Sequence, residues 1–197
     1  AHCRQINGVN KRARARGGLA PWFFSSGRLV WRAIFTGVPM ADNPIAVVAA
    51  EAPMRKAKSA YPEQFASRLG ERQKRPLGDL FGLSIFGVNL TTLPPGALSA
   101  LRHTHTKQDE FIYILKGTPT LVTDKGETVL KPGMCAGFKC GTGNAHHLVN
   151  RGTEEVAYLE IGDRTAGDEV FYPDDDIVAT KSAAGVRSFT RKDGTPF

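Results

Sequence analysis

Two stretches of the sequence decide the fold, RHTHTKQDE at residues 102–110 and GTGNAHHLVN at residues 141–150. Successive side chains of a strand point to opposite faces, so His103 and His105 project two imidazoles toward one point. Residues 106–109 are polar and turn-like, and a hairpin there returns Glu110 to the same side. His146 on a later strand supplies a third imidazole. Three nitrogens and one carboxylate predict a site for a first-row divalent ion with coordination positions left open.

The pair His146-His147 offers two choices for the third imidazole. Period-2 alternation places His146 with Leu148 on one face of the strand and His147 with Val149 on the other, which favours His146. The remaining histidine, His2, has no part in the pattern. The predicted metal ligands are His103, His105, Glu110 and His146.

The first stretch resembles the first motif of the cupin superfamily. That motif begins with a glycine, continues with His-x-His and Glu, and ends with a second glycine. Here it is formed by Gly96, His103, His105, Glu110 and Gly117, with six residues after Gly96 where the family has about five.

The second stretch resembles the second cupin motif. Gly143, His146 and Asn150 keep its register, but Gly141 stands where the family usually has proline, and the leading glycine is Gly133, two residues early. These departures fall in a loop and leave the ligand positions intact.

The resemblance implies an all-β protein with a double-stranded β-helix, a jelly-roll barrel that holds its metal inside. The cofactor it implies is a divalent transition metal such as Zn, Mn, Fe or Ni. Cupins use such sites for isomerisation or epimerisation, for dioxygenase chemistry, or for binding a small ligand without catalysis, so the fold does not decide whether the chain is an enzyme. Similarity to stand-alone bacterial cupins of the phosphomannose-isomerase type favours a sugar or sugar-phosphate isomerase or epimerase.

The sequence outside the motifs supports a barrel with a short helix before it. YPEQFASRLGERQ, at residues 61–73, has Pro62 at a favourable first position and Phe65 and Leu69 one turn apart, which predicts an amphipathic helix. From Phe81 onward the apolar residues alternate between turn signals, as in a sandwich or barrel. We expect a lead-in over residues 40–79, the barrel over residues 80–192 and a tail over residues 193–197.

Residues 1–39 differ from the rest in charge. They hold seven of the 26 Lys and Arg residues and no Asp or Glu, which leaves 19 basic against 19 acidic residues elsewhere. This balance argues against a nucleic-acid-binding surface on the folded part. The extension is predicted to be disordered or non-native; an upstream or leader sequence, a transit peptide and an arm that packs on the barrel all fit it. No apolar run approaches the roughly 20 residues of a membrane span, and we expect a cytoplasmic protein.

Two further expectations concern catalysis and assembly. No general base is identifiable from the sequence, and Tyr113, Glu160 and Lys139 are the candidates. On the Glu110 strand, Phe111, Tyr113 and Leu115 form an apolar row that faces away from the barrel interior. A second subunit in a homodimer is the expected cover for this row, with the helix near Phe65 or the N-terminal arm as alternatives.

Overall fold

The computed structural model describes residues 43–56, 59–182 and 186–197, so the predicted extension over residues 1–39 and His2 lie outside the described residues. Within those ranges the chain forms twelve strands: β1 (Gln73–Pro76), β2 (Phe86–Leu93), β3 (Thr104–His105), β4 (Glu110–Lys116), β5 (Thr120–Thr123), β6 (Gly126–Val129), β7 (Cys135–Phe138), β8 (His146–Val149), β9 (Val156–Asp163), β10 (Glu169–Phe171), β11 (Val178–Lys181) and β12 (Arg187–Thr190).

The helical segments are short. They are α1 (Glu63–Ala66), α2 (Leu77–Leu80) and the 3-10 turns Ala49–Glu51 and Ser67–Leu69. The predicted helix over residues 61–73 is therefore present but ends early. Gly70 stops it, because its φ of 64° takes the backbone out of the helical region. No helix in the described ranges is long and apolar enough to cross a membrane.

The strands form two layers. The first layer is a sheet with the order β1-β2-β9-β4-β7, and the second contains sheets with the orders β12-β11-β10-β3 and β6-β5-β8. A backbone bridge between His103 and His146 joins these last two sheets, with N–H···O distances of 3.1 and 2.8 Å. All pairings are antiparallel. This is the jelly-roll barrel that the sequence predicts. The backbone bridge between the two sheets lies at His103 and His146, two of the predicted ligands.

A hydrophobic core fills one part of the barrel. It consists of Leu93, Ala97, Ile112, Ile114, Leu121, Leu130, Leu148, Val156 and Tyr158. Ile112 and Ile114 alternate on β4 with the outward Phe111 and Tyr113, as period 2 requires. Each fully buried large aliphatic side chain stabilises the fold by about 1.5–3 kcal/mol. The inward residues beyond this core line a cavity.

A second cluster places α1 against the barrel. Phe65 and Leu69 are buried with Leu101, Val170 and Tyr172, and Val170 and Tyr172 also line the cavity. The helix therefore packs beside the cavity and leaves the outer row of β4 uncovered. Phe111, Tyr113 and Leu115 are 39%, 39% and 45% exposed.

Asn150 fixes the turn after β8. Its Nδ2 donates to the carbonyl oxygens of Leu93 and Glu154, both at 2.8 Å, and its Oδ1 accepts from the Gly152 amide at 3.0 Å. The side chain is almost completely buried. Removing its amide group would leave buried backbone groups without partners, so this motif residue has a structural role.

Candidate metal centre

The predicted ligands lie on three strands that meet inside the barrel. His105 belongs to β3 and His103 directly precedes it, Glu110 begins β4, and His146 begins β8. The three histidines are buried. The i, i+2 spacing of His103 and His105 puts both rings on the inward face, and the bridge to His146 brings the third ring beside them.

The three imidazole rings converge on one carboxylate oxygen. Glu110 Oε2 lies 3.0 Å from His146 Nε2, 3.4 Å from His103 Nε2 and 3.6 Å from His105 Nε2. The ligand atoms of His103, His105 and Glu110 all lie within 4.8 Å of one another. Two ligands at about 2.1 Å from one ion are about 3.0 Å apart at a right angle and about 3.4 Å apart at a tetrahedral angle. The observed contacts therefore fit a shared divalent ion.

Hydrogen bonds behind two of the rings select the nitrogen that faces the centre. His103 Nδ1 donates to the Leu101 carbonyl oxygen at 2.8 Å, and His105 Nδ1 donates to Asp168 Oδ2 at 2.6 Å. When Nδ1 carries the proton, Nε2 keeps its lone pair for a metal. Within the described residues, His146 Nδ1 is buried without a hydrogen-bond partner, and the His146 ring stacks on Phe138 at 3.5 Å.

The charges around the centre favour a cation. Burial alone would raise the pKa of Glu110, but hydrogen bonds and charge interactions with the histidines lower it well below its usual range. Burial lowers the pKa of His146. At His105 burial also acts to lower the pKa, yet Asp168 and Glu110 outweigh it and raise the pKa. Two carboxylates thus stabilise positive charge at the point where the imidazoles meet.

His147 is not brought to the centre. Its Nδ1 faces the Ala100 carbonyl oxygen at 3.2 Å, behind the strand. The alternation argument that favoured His146 over His147 therefore agrees with the direction of both rings.

A cavity of about 240 Å³ opens from the four side chains. Of the three candidate bases, Glu160 lines it, whereas Tyr113 and Lys139 are exposed and are not among its lining residues. Lys74 Nζ donates to both oxygens of Glu160 at 2.6 and 2.7 Å, and Asn89 Nδ2 donates to one of them at 3.2 Å. Burial lowers the pKa of Lys74, and Glu160 opposes this effect.

Sequence reasoning missed Lys74 and Asp168. Lys74 lies on β1, within the residues 40–79 that the sequence assigned to the lead-in and directly after the predicted helix. An alternating reading of Arg72 and Lys74 would have indicated a strand with two cations on one face. Asp168 follows Gly167 and belongs to no sequence motif. It reaches Nδ1 of His105 only because β10 pairs with β3.

A family model of the cupin domain matches residues 89–162. The crystal structure of a cupin-superfamily sugar phosphate isomerase from Silicibacter pomeroyi is 41% identical, with a TM-score of 0.72 over 77% of this chain and 96% of that chain. A provisionally assigned sugar phosphate isomerase from Acidithiobacillus ferrooxidans is 31% identical, with a TM-score of 0.58 over 64% of this chain and 80% of that chain.

A polyketide cyclase from Streptomyces resistomycificus shares the fold at 20% identity, with a TM-score of 0.50 over 60% of this chain and 78% of that chain. No curated protein matches the chain. The two-layered barrel, the converging histidines and the extensive match to the Silicibacter protein lead to one conclusion: this chain belongs to the cupin superfamily.

Proposed function

We propose that the chain is a metal-dependent isomerase or epimerase of a sugar or sugar phosphate. His103, His105, Glu110 and His146 would hold a divalent transition ion. The observation that carries the proposal is the convergence of three imidazole nitrogens on one Glu110 oxygen at 3.0–3.6 Å, in a cavity that also holds an ionisable Lys-Glu pair. The 41% identity to a sugar phosphate isomerase supports the substrate class.

A bound ion would act as a Lewis acid that polarises a substrate carbonyl and acidifies the neighbouring C–H. The general base would be Glu160. Lys74 and Asn89 hold its carboxylate by three hydrogen bonds, and the carboxylate lines the cavity. It takes a proton from the carbon beside the carbonyl and returns it to the adjacent carbon, while the hydroxyl proton moves to the former carbonyl oxygen. The reaction is redox-neutral overall and needs no further reactant.

The spacing of Glu160 from the centre suits a small substrate. Glu160 and Gly162 lie on the same face of β9, and Gly162 pairs with Glu110. Two residues of strand correspond to about 7 Å, which leaves room for a carbon chain between the base and the ligands. The cavity of about 240 Å³ is smaller than pockets for drug-sized molecules, which begin at about 300 Å³.

The test combines metal analysis with proton exchange. The purified protein is analysed for metals, then incubated in D₂O with a panel of aldose and ketose phosphates and followed by NMR. We expect a bound divalent ion and deuterium at the carbon beside the carbonyl. His105→Ala should lose most of the metal and the exchange while it still unfolds cooperatively, because the barrel has its own apolar core. Glu160→Gln should keep the metal and lose the exchange.

His147→Ala is the matched control, since it removes a neighbouring imidazole that faces the other way, and it should keep both metal and exchange. Bound iron with oxygen consumption would contradict the proposal in favour of dioxygenase chemistry. Tight metal and sugar binding without exchange on any substrate would contradict it in favour of a non-catalytic binding protein. Loss of cooperative unfolding in His105→Ala would show that the metal is structural.

The chain is also proposed to form a homodimer through the outer face of β4. The support is the row Phe111, Tyr113 and Leu115, which the described part of the chain leaves partly exposed.

A further inference from the structure

Five cationic side chains line the cavity. These cations are Arg55, Arg72, Lys74, Arg164 and Arg187. Lys74 is paired with Glu160, and Arg164 is paired with Asp79. The remaining three are arginines, and Arg72 and Arg187 form no ion pair with a carboxylate in the described residues.

The acidic residues of the cavity are already engaged. Glu110 faces the three histidines, and Glu160 faces Lys74. Asp163 accepts hydrogen bonds from the backbone amides of Asp109 and Thr165, both at 2.8 Å. Five cationic side chains against three carboxylates give the cavity a local excess of positive charge, although the chain outside residues 1–39 is balanced.

The three arginines act on one another. Partial desolvation lowers the pKa of Arg55, the charges of Arg72 and Arg187 lower it further, and the charge of Glu160 acts in the opposite direction. Arg187 also contributes to the electrostatic surroundings of His105 and Tyr172 inside the barrel. Like charges that line one cavity repel one another unless an anion lies between them, which is the arrangement of an anion-binding site.

The topology explains how the arginines meet. Arg72 directly precedes β1, and Arg187 begins β12; these are edge strands of the two layers. Arg55 and Arg187 are exposed, whereas His103, His105 and His146 are buried. The cationic cluster therefore lies toward the solvent end of the cavity, and the candidate metal centre lies at its inner end.

We propose that Arg55, Arg72 and Arg187 form a subsite for the phosphate group of the substrate. Guanidinium groups match phosphate geometry through paired N–H donors, and a dianion offsets more of this charge than a carboxylate does. A sugar phosphate would then place its phosphate at the rim and its carbonyl end at the inner centre. The proposal deepens the isomerase proposal, on which it rests for the reaction but not for binding of the anion.

The test measures anion binding with and without Arg187. Arg187→Gln is the main variant, because this exposed side chain makes no hydrogen bond or ion pair within residues 43–56, 59–182 and 186–197. The probes are inorganic phosphate, ribose 5-phosphate and ribose, measured by calorimetry on the protein as purified and after treatment with a chelator. Lys125→Gln is the matched control, since it removes an exposed cation from the β5–β6 turn.

We expect the purified protein to bind phosphate, and to keep binding it after chelation. Ribose 5-phosphate should bind more tightly than ribose. Arg187→Gln should weaken phosphate binding by about tenfold or more and reduce the advantage of ribose 5-phosphate by the same factor, with unchanged metal content. Lys125→Gln should bind like the original protein. Arg72→Lys keeps the positive charge but loses the paired N–H donors of the guanidinium group. Its phosphate affinity should therefore lie between those of Arg187→Gln and the original protein.

Two outcomes separate this inference from the isomerase proposal. Phosphate binding that survives in a chain without metal or proton exchange would support the subsite and reject the isomerase. Proton exchange that does not distinguish sugar phosphates from sugars, together with unchanged phosphate binding in Arg187→Gln, would reject the subsite and leave the isomerase standing. Binding of phosphate only when metal is present would also reject the subsite, since the ion would then be the binding group.

Discussion

Asp168 controls which nitrogen of His105 faces the candidate metal centre. Its Oδ2 accepts a hydrogen bond from His105 Nδ1, and its Oδ1 accepts from the Lys107 amide at 2.9 Å. In Asp168→Asn an amide NH₂ can take the place of Oδ2. That group would donate to Nδ1, move the ring proton to Nε2 and block the nitrogen that a metal needs.

We therefore expect Asp168→Asn to weaken metal binding by about 10–100-fold, measured by competition with a chelating dye. Asp163→Asn is the control, because Asp163 also accepts backbone amide hydrogen bonds but forms no hydrogen bond with a histidine of the described chain. Equal metal affinities for the two variants would show that Asp168 does not orient His105.

The sequence predicts the side chains that face the candidate metal centre better than the residues that position or neighbour them. His103, His105, Glu110 and His146 are marked by spacing and by the period of two, and the structure brings their side chains together; their binding of a metal stays a prediction. Lys74 meets Glu160 across 86 positions of sequence. Such contacts arise from strand pairing, and no local pattern encodes them.

At the scale of elements, Gly117 terminates β4 in a crowded turn. Its φ is 78°, and a Cβ atom there would lie 2.8 Å from the Glu155 carbonyl oxygen and 2.9 Å from Val156 Cα. Gly96 has the same φ of 78°, but a Cβ atom there would meet nothing within 4 Å. Substitution at Gly96 therefore tests backbone strain alone, whereas substitution at Gly117 tests backbone strain together with steric overlap.

Gly96→Ala should destabilise the protein by about 1–2 kcal/mol, the cost of a left-handed backbone for alanine. Gly117→Ala should add about 1–3 kcal/mol to that loss, because the contacts are to backbone atoms that cannot rotate away. Urea unfolding of both variants measures the difference. Equal losses would mean that the β4 turn relaxes without cost.

Local sequence signals account for some elements and not for others. The β5–β6 hairpin turns at Asp124 and Lys125 before Gly126, as the alternating residues around that turn indicate. The helix near Phe65 was predicted too long, and β1 was missed. Strand β1 is held by pairing with β2 along Gln73–Pro76, and its polar sequence gives little indication of a strand.

At the scale of the whole molecule, the outer face of β4 decides the expected assembly. Phe111 and Tyr113 point away from the core and remain 39% exposed, and β7 beside them is an edge strand. Helix α1 packs elsewhere, so the described residues supply no cover for the row. An apolar row beside a free sheet edge favours self-association, and a twofold dimer is the commonest closed arrangement.

Light scattering should therefore give about twice the chain mass of 21.3 kDa. Tyr113→Lys should shift the protein toward the monomer, because burying an unpaired ammonium at an interface costs more than leaving it in water. It should change the stability of the monomer little, since the side chain already faces outward. Val129→Lys is the control: Val129 is 56% exposed on β6, a strand of another sheet, and its replacement should leave the dimer intact. A monomeric original protein, or a Tyr113→Lys variant that dimerises as tightly as the original, would show that this row is an ordinary exposed surface.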